Sequence, residues 1–169
     1  MDKKVAELLN DQINKELYSA YLYLDMANFY SAKGLDGFAN WYEIQAKEEQ
    51  DHAILIYKYL HNNDQTVTLG AIAKPDKEFK ELMDPLTAAH AHEQYVTSLI
   101  NAIYDAAVEA KDHRTMQFLD WFVKEQGEEE KNSSDLIRKM ELFGGDAKAL
   151  YMLNSELAGR TYSAPSLQL

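Results

Sequence analysis

The sequence predicts an all-α protein: a four-helix bundle with a long crossover between its second and third helices and a short fifth helix. Three observations lead there. Apolar residues recur in alternating steps of three and four, the spacing of one helical face, and no segment sustains the two-residue alternation of a strand. Glycine and proline are sparse, seven and three in 169 residues, and they gather at a few breaks. The segments between those breaks are rich in Ala, Leu, Glu, Lys, Gln and Tyr.

The first helix is expected over residues 4–33 and ends at the break marked by Gly34 and Gly37. The second is expected over 37–63. The stretch from about 64 to 84, which holds Gly70 and Pro75, is too long for a tight turn between antiparallel neighbours. It predicts a crossover, with a helical hairpin on either side of it. Pro85 suits the first turn of a third helix over 85–111, where its missing N–H costs nothing. A fourth helix over 114–143 stops at Gly144-Gly145, and a fifth over 146–158 precedes Gly159. Residues 1–158 then make one domain of ordinary size, and 159–169, with no helical pattern, read as a loosely held tail.

Charge narrows the function. Seventeen basic against 28 acidic residues give a formal net charge of −11. That argues against a nucleic-acid partner, which needs clustered Lys and Arg, and suits a protein that collects cations. With no cysteine, disulfides, thiolate metal sites, iron–sulfur clusters and cysteine nucleophiles are excluded. The opening residues turn charged too soon for a secretory leader, and no run of 18 apolar residues exists to span a membrane. The expected location is the cytoplasm.

Each helical stripe is interrupted near its middle by polar groups. Glu16 and Tyr23 lie on the first, Gln45, Glu49 and His52 on the second, Glu93 on the third, and Gln126, Glu129 and Ser133 on the fourth. Glu16 precedes the first turn, taken at residue 35, by 19 residues, and Glu49 and His52 follow it by 14 and 17. Around the turn taken at residue 113, Glu93 lies 20 before, and Gln126 and Glu129 lie 13 and 16 after. The helical rise therefore sets all six in one slab about 10 Å thick. Glu16 and Glu93, Glu48 and Glu125, Glu49 and Gln126, and His52 and Glu129 are each 77 residues apart. That repeat reads as two similar hairpins about an approximate twofold axis, which would present ligands to a pair of metals from both sides.

A single Glu on an apolar stripe reads as a snorkelling or salt-bridged side chain. Several together, with no Lys or Arg on the stripes and a Glu-x-x-His at Glu49–His52, read as metal ligands. Oxygen ligands with one imidazole favour iron or manganese over a structural zinc site. Tyr23 reads equally as a core tyrosine or as a residue beside the metals. Glu48 and Glu125 each precede a stripe residue by one helical step, about 100° of rotation, and so point beside the centre; with Glu128 on that side and Glu129 between, they form either a third cation site or a solvated acidic patch. His61, His90, His92 and His113 are off the stripes and read as surface residues.

The segments Asn14–Tyr23, Glu48–His52, His92-Glu93 and Phe118–Gln126 resemble the non-haem ferritins of the prokaryotic type, over nearly the whole chain. The resemblance implies a ferritin-like bundle, a homo-oligomeric shell of 24 subunits, and oxidation of Fe(II) by O₂ or H₂O₂ with storage as a ferric oxyhydroxide mineral. It also implies one iron on Glu16, Glu49 and His52, with Glu49 bridging to a second held by Glu93 beside Gln126. A third iron would lie on Glu48, Glu125, Glu128 and Glu129, and Tyr23 would stand beside the pair. A bacterioferritin would carry Glu and His in place of Gln126 and Glu129, and a haem-ligating Met in place of Gln50, so no haem is expected. The positions aligned with the acidic channel of animal ferritins are Met116 and Leu119. The fifth helix would meet its copies around fourfold axes through an apolar face of Leu150, Tyr151, Leu153 and Leu157. A di-iron oxidase or peroxidase without storage remains the alternative.

Overall fold

Local capping starts most of the helices. In the computed structural model, which describes residues 1–169, the Asp2 carboxylate accepts from the Lys4 and Val5 N–H groups and opens α1 (Lys3–Ala32). Asp112 and Asp146 cap α4 (His113–Phe143) and α5 (Ala147–Leu157) in the same way. These side chains satisfy N–H groups that have no partner within the helix. Pro85 lies in the first turn of α3 (Asp84–Glu109). The turn after α1 needs a left-handed residue, and Gly34 supplies it with φ +73°.

The start of α2 (Asp36–Asn62) has no side-chain cap of its own. The fifth helix provides one: Asn154 Oδ1 accepts from the N–H groups of Gly37, at 2.8 Å, and Phe38, at 3.2 Å. A Cβ on Gly37 would lie 1.7 Å from the Asn154 carbonyl oxygen, so this approach is open only to glycine. Leu153 and Leu157, on either side of Asn154 in the chain, enter the core. Part of the apolar face expected to meet other subunits thus belongs to the subunit's own interior, while Tyr151 and Met152 stay 71% and 64% exposed.

The crossover runs beside α1. Asn10 and Thr68 exchange hydrogen bonds, Asn14 donates to the Ala71 carbonyl, and the Tyr30 hydroxyl donates to that of Leu82. The chain is thereby carried back along the bundle, so α3 begins at the end where α2 begins. Four antiparallel and parallel helices then enclose two apolar clusters. One gathers Val5, Leu9, Ile56, Leu60, Ile100 and Phe118 at one end, and the other gathers Met26, Tyr30, Phe38, Leu86, Leu136 and Leu153 at the opposite end. The polar slab lies between them. The stripe residues Glu16, Tyr23, Gln45, Glu49, His52, Glu93, Gln126, Glu129 and Ser133 are all buried.

The tail departs from its expected looseness. Tyr162 donates to Asp51 at 2.5 Å, Trp121 donates to Ser166 at 3.1 Å, and Leu167 packs against the first cluster. Side-chain bonds hold this segment, and they leave no periodic trace in the sequence. No helix is long and apolar enough to cross a membrane.

Candidate metal centre

Glu16 from α1 and Glu49 and His52 from α2 converge in the middle of the bundle, with one ligand atom from each within 4.8 Å of the others. All three are almost fully buried. Glu and His three residues apart on one helix lie on the same face, which brings the His52 Nδ1 to 3.7 Å from Glu49 Oε2. Trp121 and Phe122 pack against the imidazole ring and fix its plane.

Hydrogen bonding around these carboxylates is incomplete. Gln12 Nε2 donates to Glu16 Oε1 at 2.8 Å, but Glu16 Oε2 and Glu49 Oε1 have no partner at all. A buried polar atom left unpaired costs on the order of 1–3 kcal/mol, and more when it is charged. Burial pushes the Glu16 and Glu49 pKa values well up, and the negative neighbours Glu49 (on Glu16) and Glu93 and Glu129 (on Glu49) push further. A shared divalent cation would satisfy both orphan oxygens and cancel that repulsion.

The other side of the slab is organised by amides. Tyr23 donates its hydroxyl to Glu93 Oε1, and Gln126 Nε2 donates to Glu93 Oε2 at 3.1 Å. Gln45 Nε2 donates to Glu129 Oε2 at 2.6 Å. Burial raises Glu93 despite the Tyr23 and Gln126 bonds, and burial with the nearby Glu93 charge raises Glu129 to about 8. The Tyr23 pKa is pushed well up by burial and by the Glu93 charge, which keeps its proton on the phenol. Glu93, Gln126 and Glu129 thus face the trio across the core, with neutral donors already in place.

The outlying acids are less enclosed. Glu48 and Glu125 are half-buried, each raised first by burial; Glu125 raises Glu48, and Glu128 raises Glu125. Glu128 itself is exposed and lies 3.8 Å from the Lys124 ammonium. Two further features were not expected. Arg160, from the tail, binds Glu48 at 2.6 Å, so the cluster has a cationic partner that the helical stripes could not reveal. His92 is not a surface residue: it lies partly buried with Nε2 2.7 Å from Ser19 Oγ, and burial, helped by Lys77, lowers it to about 4. The crossover covers it, along with Tyr18, and helical periodicity carries no information about that cover. Thr97 and Glu130 also extend the Glu93–Gln126 network through a 2.6 Å hydrogen bond. Leu119 is completely buried in the first cluster and lines no channel within the chain.

A family model described as a ferritin-like domain matches residues 6–143. The chain is 38% identical over 152 residues to a bacterial non-heme ferritin of Campylobacter jejuni, covering 90% of this chain and 91% of that protein. It is 34% identical over 164 residues to a probable bacterial non-heme ferritin-like protein of Haemophilus influenzae, covering 97% and 99%. Among solved structures, an open pore ferritin from the hyperthermophilic archaeon Archaeoglobus fulgidus aligns with a TM-score of 0.92 at 38% identity, over 95% of this chain and 99% of that one. An engineered closed form of the ferritin of that archaeon aligns with a TM-score of 0.94 at 39% identity, over 96% and 99%.

Proposed function

The chain belongs to the ferritin family, and on that premise we propose that it oxidises Fe(II) at a paired centre within each subunit and stores the product as a ferric oxyhydroxide mineral. The storage vessel is a cage of 24 copies in the cytoplasm. What carries this reading is the pair of orphan carboxylate oxygens on Glu16 and Glu49 beside His52, at the centre of an otherwise well-packed bundle.

Glu16, Glu49 and His52 take the first Fe(II), and Glu49 bridges to a second that Glu93 also binds. Three carboxylates neutralise most of the charge of two Fe(II) ions and favour Fe(III) still more, which lowers the potential of the pair. Two Fe(II) ions give up one electron each, and O₂ takes up both with two protons to become H₂O₂. Supplied H₂O₂ would take up two electrons and two protons to become two waters. Burial keeps protons on Glu16, Glu49 and Glu129 before iron arrives, so uptake of iron releases protons from these groups. Gln126 offers a neutral amide where another carboxylate would bind more firmly, so the second iron is held weakly and its product moves on. Tyr23 holds Glu93 in place through its phenol hydrogen bond. Glu48, Glu125, Glu128 and Glu129 form a third iron site beside the pair. Gln50 stands where a haem-ligating Met would be needed, so haem has no part in this reading.

Size-exclusion chromatography after aerobic iron loading tests the reading. A mineral-bearing species of about 24 chains is expected. A small oligomer that retains two irons per chain would replace it with a di-iron oxidase or peroxidase that stores nothing.

A further inference from the structure

Among the ion pairs made by Lys or Arg, the one between Arg160 and Glu48 stands apart. Its side chains are 16% and 18% exposed, whereas in every other such pair both side chains are 39% exposed or more. The guanidinium is held at four points. Its Nη2 donates to Glu48 Oε2 at 2.6 Å, and its Nη1 donates to Gln45 Oε1 at 2.8 Å and to the Trp41 carbonyl at 3.1 Å. Its Cζ lies over the Trp41 ring, 4.1 Å from the ring centre. Accepting from Arg160 commits the Gln45 oxygen and turns its Nε2 toward Glu129 Oε2, 2.6 Å away. One tail residue therefore touches one carboxylate of the outlying cluster directly and orders a second through an amide.

We infer that Arg160 holds the place of a cation in this cluster, and that a metal ion binding there displaces it and frees the C-terminal tail. The inference rests on the third-site reading given above. A metal ion taken up by Glu48 would repel the guanidinium held 2.6 Å from Glu48 Oε2 and draw off the carboxylate charge that keeps it there. Once Arg160 leaves, Gln45 loses the acceptor role that fixes its orientation, and Glu129 is free to turn to the metal. The tail beyond Arg160 then keeps the Tyr162–Asp51 and Trp121–Ser166 bonds and the packing of Leu167, and Asn40 still donates to the Arg160 carbonyl at its base. Arg160 is a positioning residue that sets how readily the cluster fills, and the state of the tail reports whether it has filled.

The test is anaerobic titration of the assembled protein with Fe(II), read by calorimetry, for wild type, Arg160→Gln and Arg160→Lys. Hydrogen exchange of residues 161–169 in the wild type is followed over the same titration. The first two equivalents should bind alike in all three proteins. The third should bind about tenfold more tightly to Arg160→Gln, the scale of one partly shielded ion pair, while Arg160→Lys stays near wild type. Exchange of the wild-type tail should quicken only between two and three equivalents. A third equivalent that binds Arg160→Gln no more tightly than wild type, or fills the wild type without quickening tail exchange, overturns the role of Arg160 alone. If no third equivalent binds to any of the proteins, the third-site reading falls, and this inference with it. The exchange measurement needs no variant, so the test survives if Arg160→Gln fails to fold.

Discussion

The ends and the middle of this bundle are built from the same four helices at the same spacing, yet they are stabilised in opposite ways. At either end, side chains such as Ile100, Phe118, Tyr30 and Leu86 are fully packed and need nothing from outside the chain. In the middle, Glu16, Glu49 and Glu129 are as deeply buried, but with unpaired oxygens or raised pKa values. The ends hold the helices in register, and that rigidity keeps together carboxyl groups whose ionised forms repel one another. The same burial that makes the middle unfavourable without a cation makes it selective for one.

That contrast can be broken most sharply by matched substitutions. Ile100→Ala in the end cluster should cost about 2–5 kcal/mol, a fall of roughly 4–20 °C in Tm with or without metal. Glu49→Gln in the middle should leave the metal-free Tm unchanged or higher, and should abolish the rise in Tm that Fe(II) or Zn(II) produces in the wild type. Differential scanning calorimetry of both variants, with and without metal, checks the pair. A large loss of metal-free stability in Glu49→Gln would show that the carboxylate supports the fold.

Removal of α5 should have an effect nearly as large. Leu153 and Leu157 close the second cluster, and Asn154 caps α2, so truncation after Gly145 should lower the Tm of the subunit by ~5 °C or more, as well as disturb assembly. An unchanged Tm would confine α5 to contacts between copies.

A smaller effect follows from pH. Folding raises the pKa of Glu129 from the ordinary 4.5 to about 8, so the folded state holds its proton more tightly than the unfolded state. The associated stability is fully present below 4.5 and is lost as pH rises to about 8. Metal-free protein should therefore lose several degrees of Tm between pH 5 and pH 8, and Glu129→Gln should flatten that slope. An equally steep slope in the variant would place the titration elsewhere.

The smallest test is Gly127→Ala. Gly127 sits in mid-helix on the exposed side of α4, and a Cβ there would meet nothing within 4 Å. Alanine should add about 0.5–1 kcal/mol through helix propensity, with no change in iron oxidation. A slower oxidation would mean that the middle of the bundle relies on local looseness in α4.

Helical spacing and punctuation were enough to place all five helices within about two residues, because each stripe is long and each break carries a glycine, a proline or an acidic cap. The same spacing put Glu16, Glu49, His52, Glu93, Gln126 and Glu129 in one slab, since depth along a helix is a matter of counting. Contacts made by non-helical backbone were not legible. Arg160 reaches Glu48 from a segment with no period, and the crossover buries His92 from a direction that its own helix does not specify. Leu153 and Leu157 were visible as an apolar face, but only the fit of Asn154 onto Gly37 decides what that face covers.

The central claim is that Glu16, Glu49 and His52 form the tighter half of an iron-oxidising pair. Stopped-flow oxidation of two Fe(II) per chain, in wild type and in Glu16→Ala, Glu49→Ala and His52→Ala, measures it most directly. Each variant should fold, assemble and lose the fast phase, with the oxidation rate falling at least a hundredfold, about 2.7 kcal/mol in the barrier. Wild-type rates in all three would contradict the account.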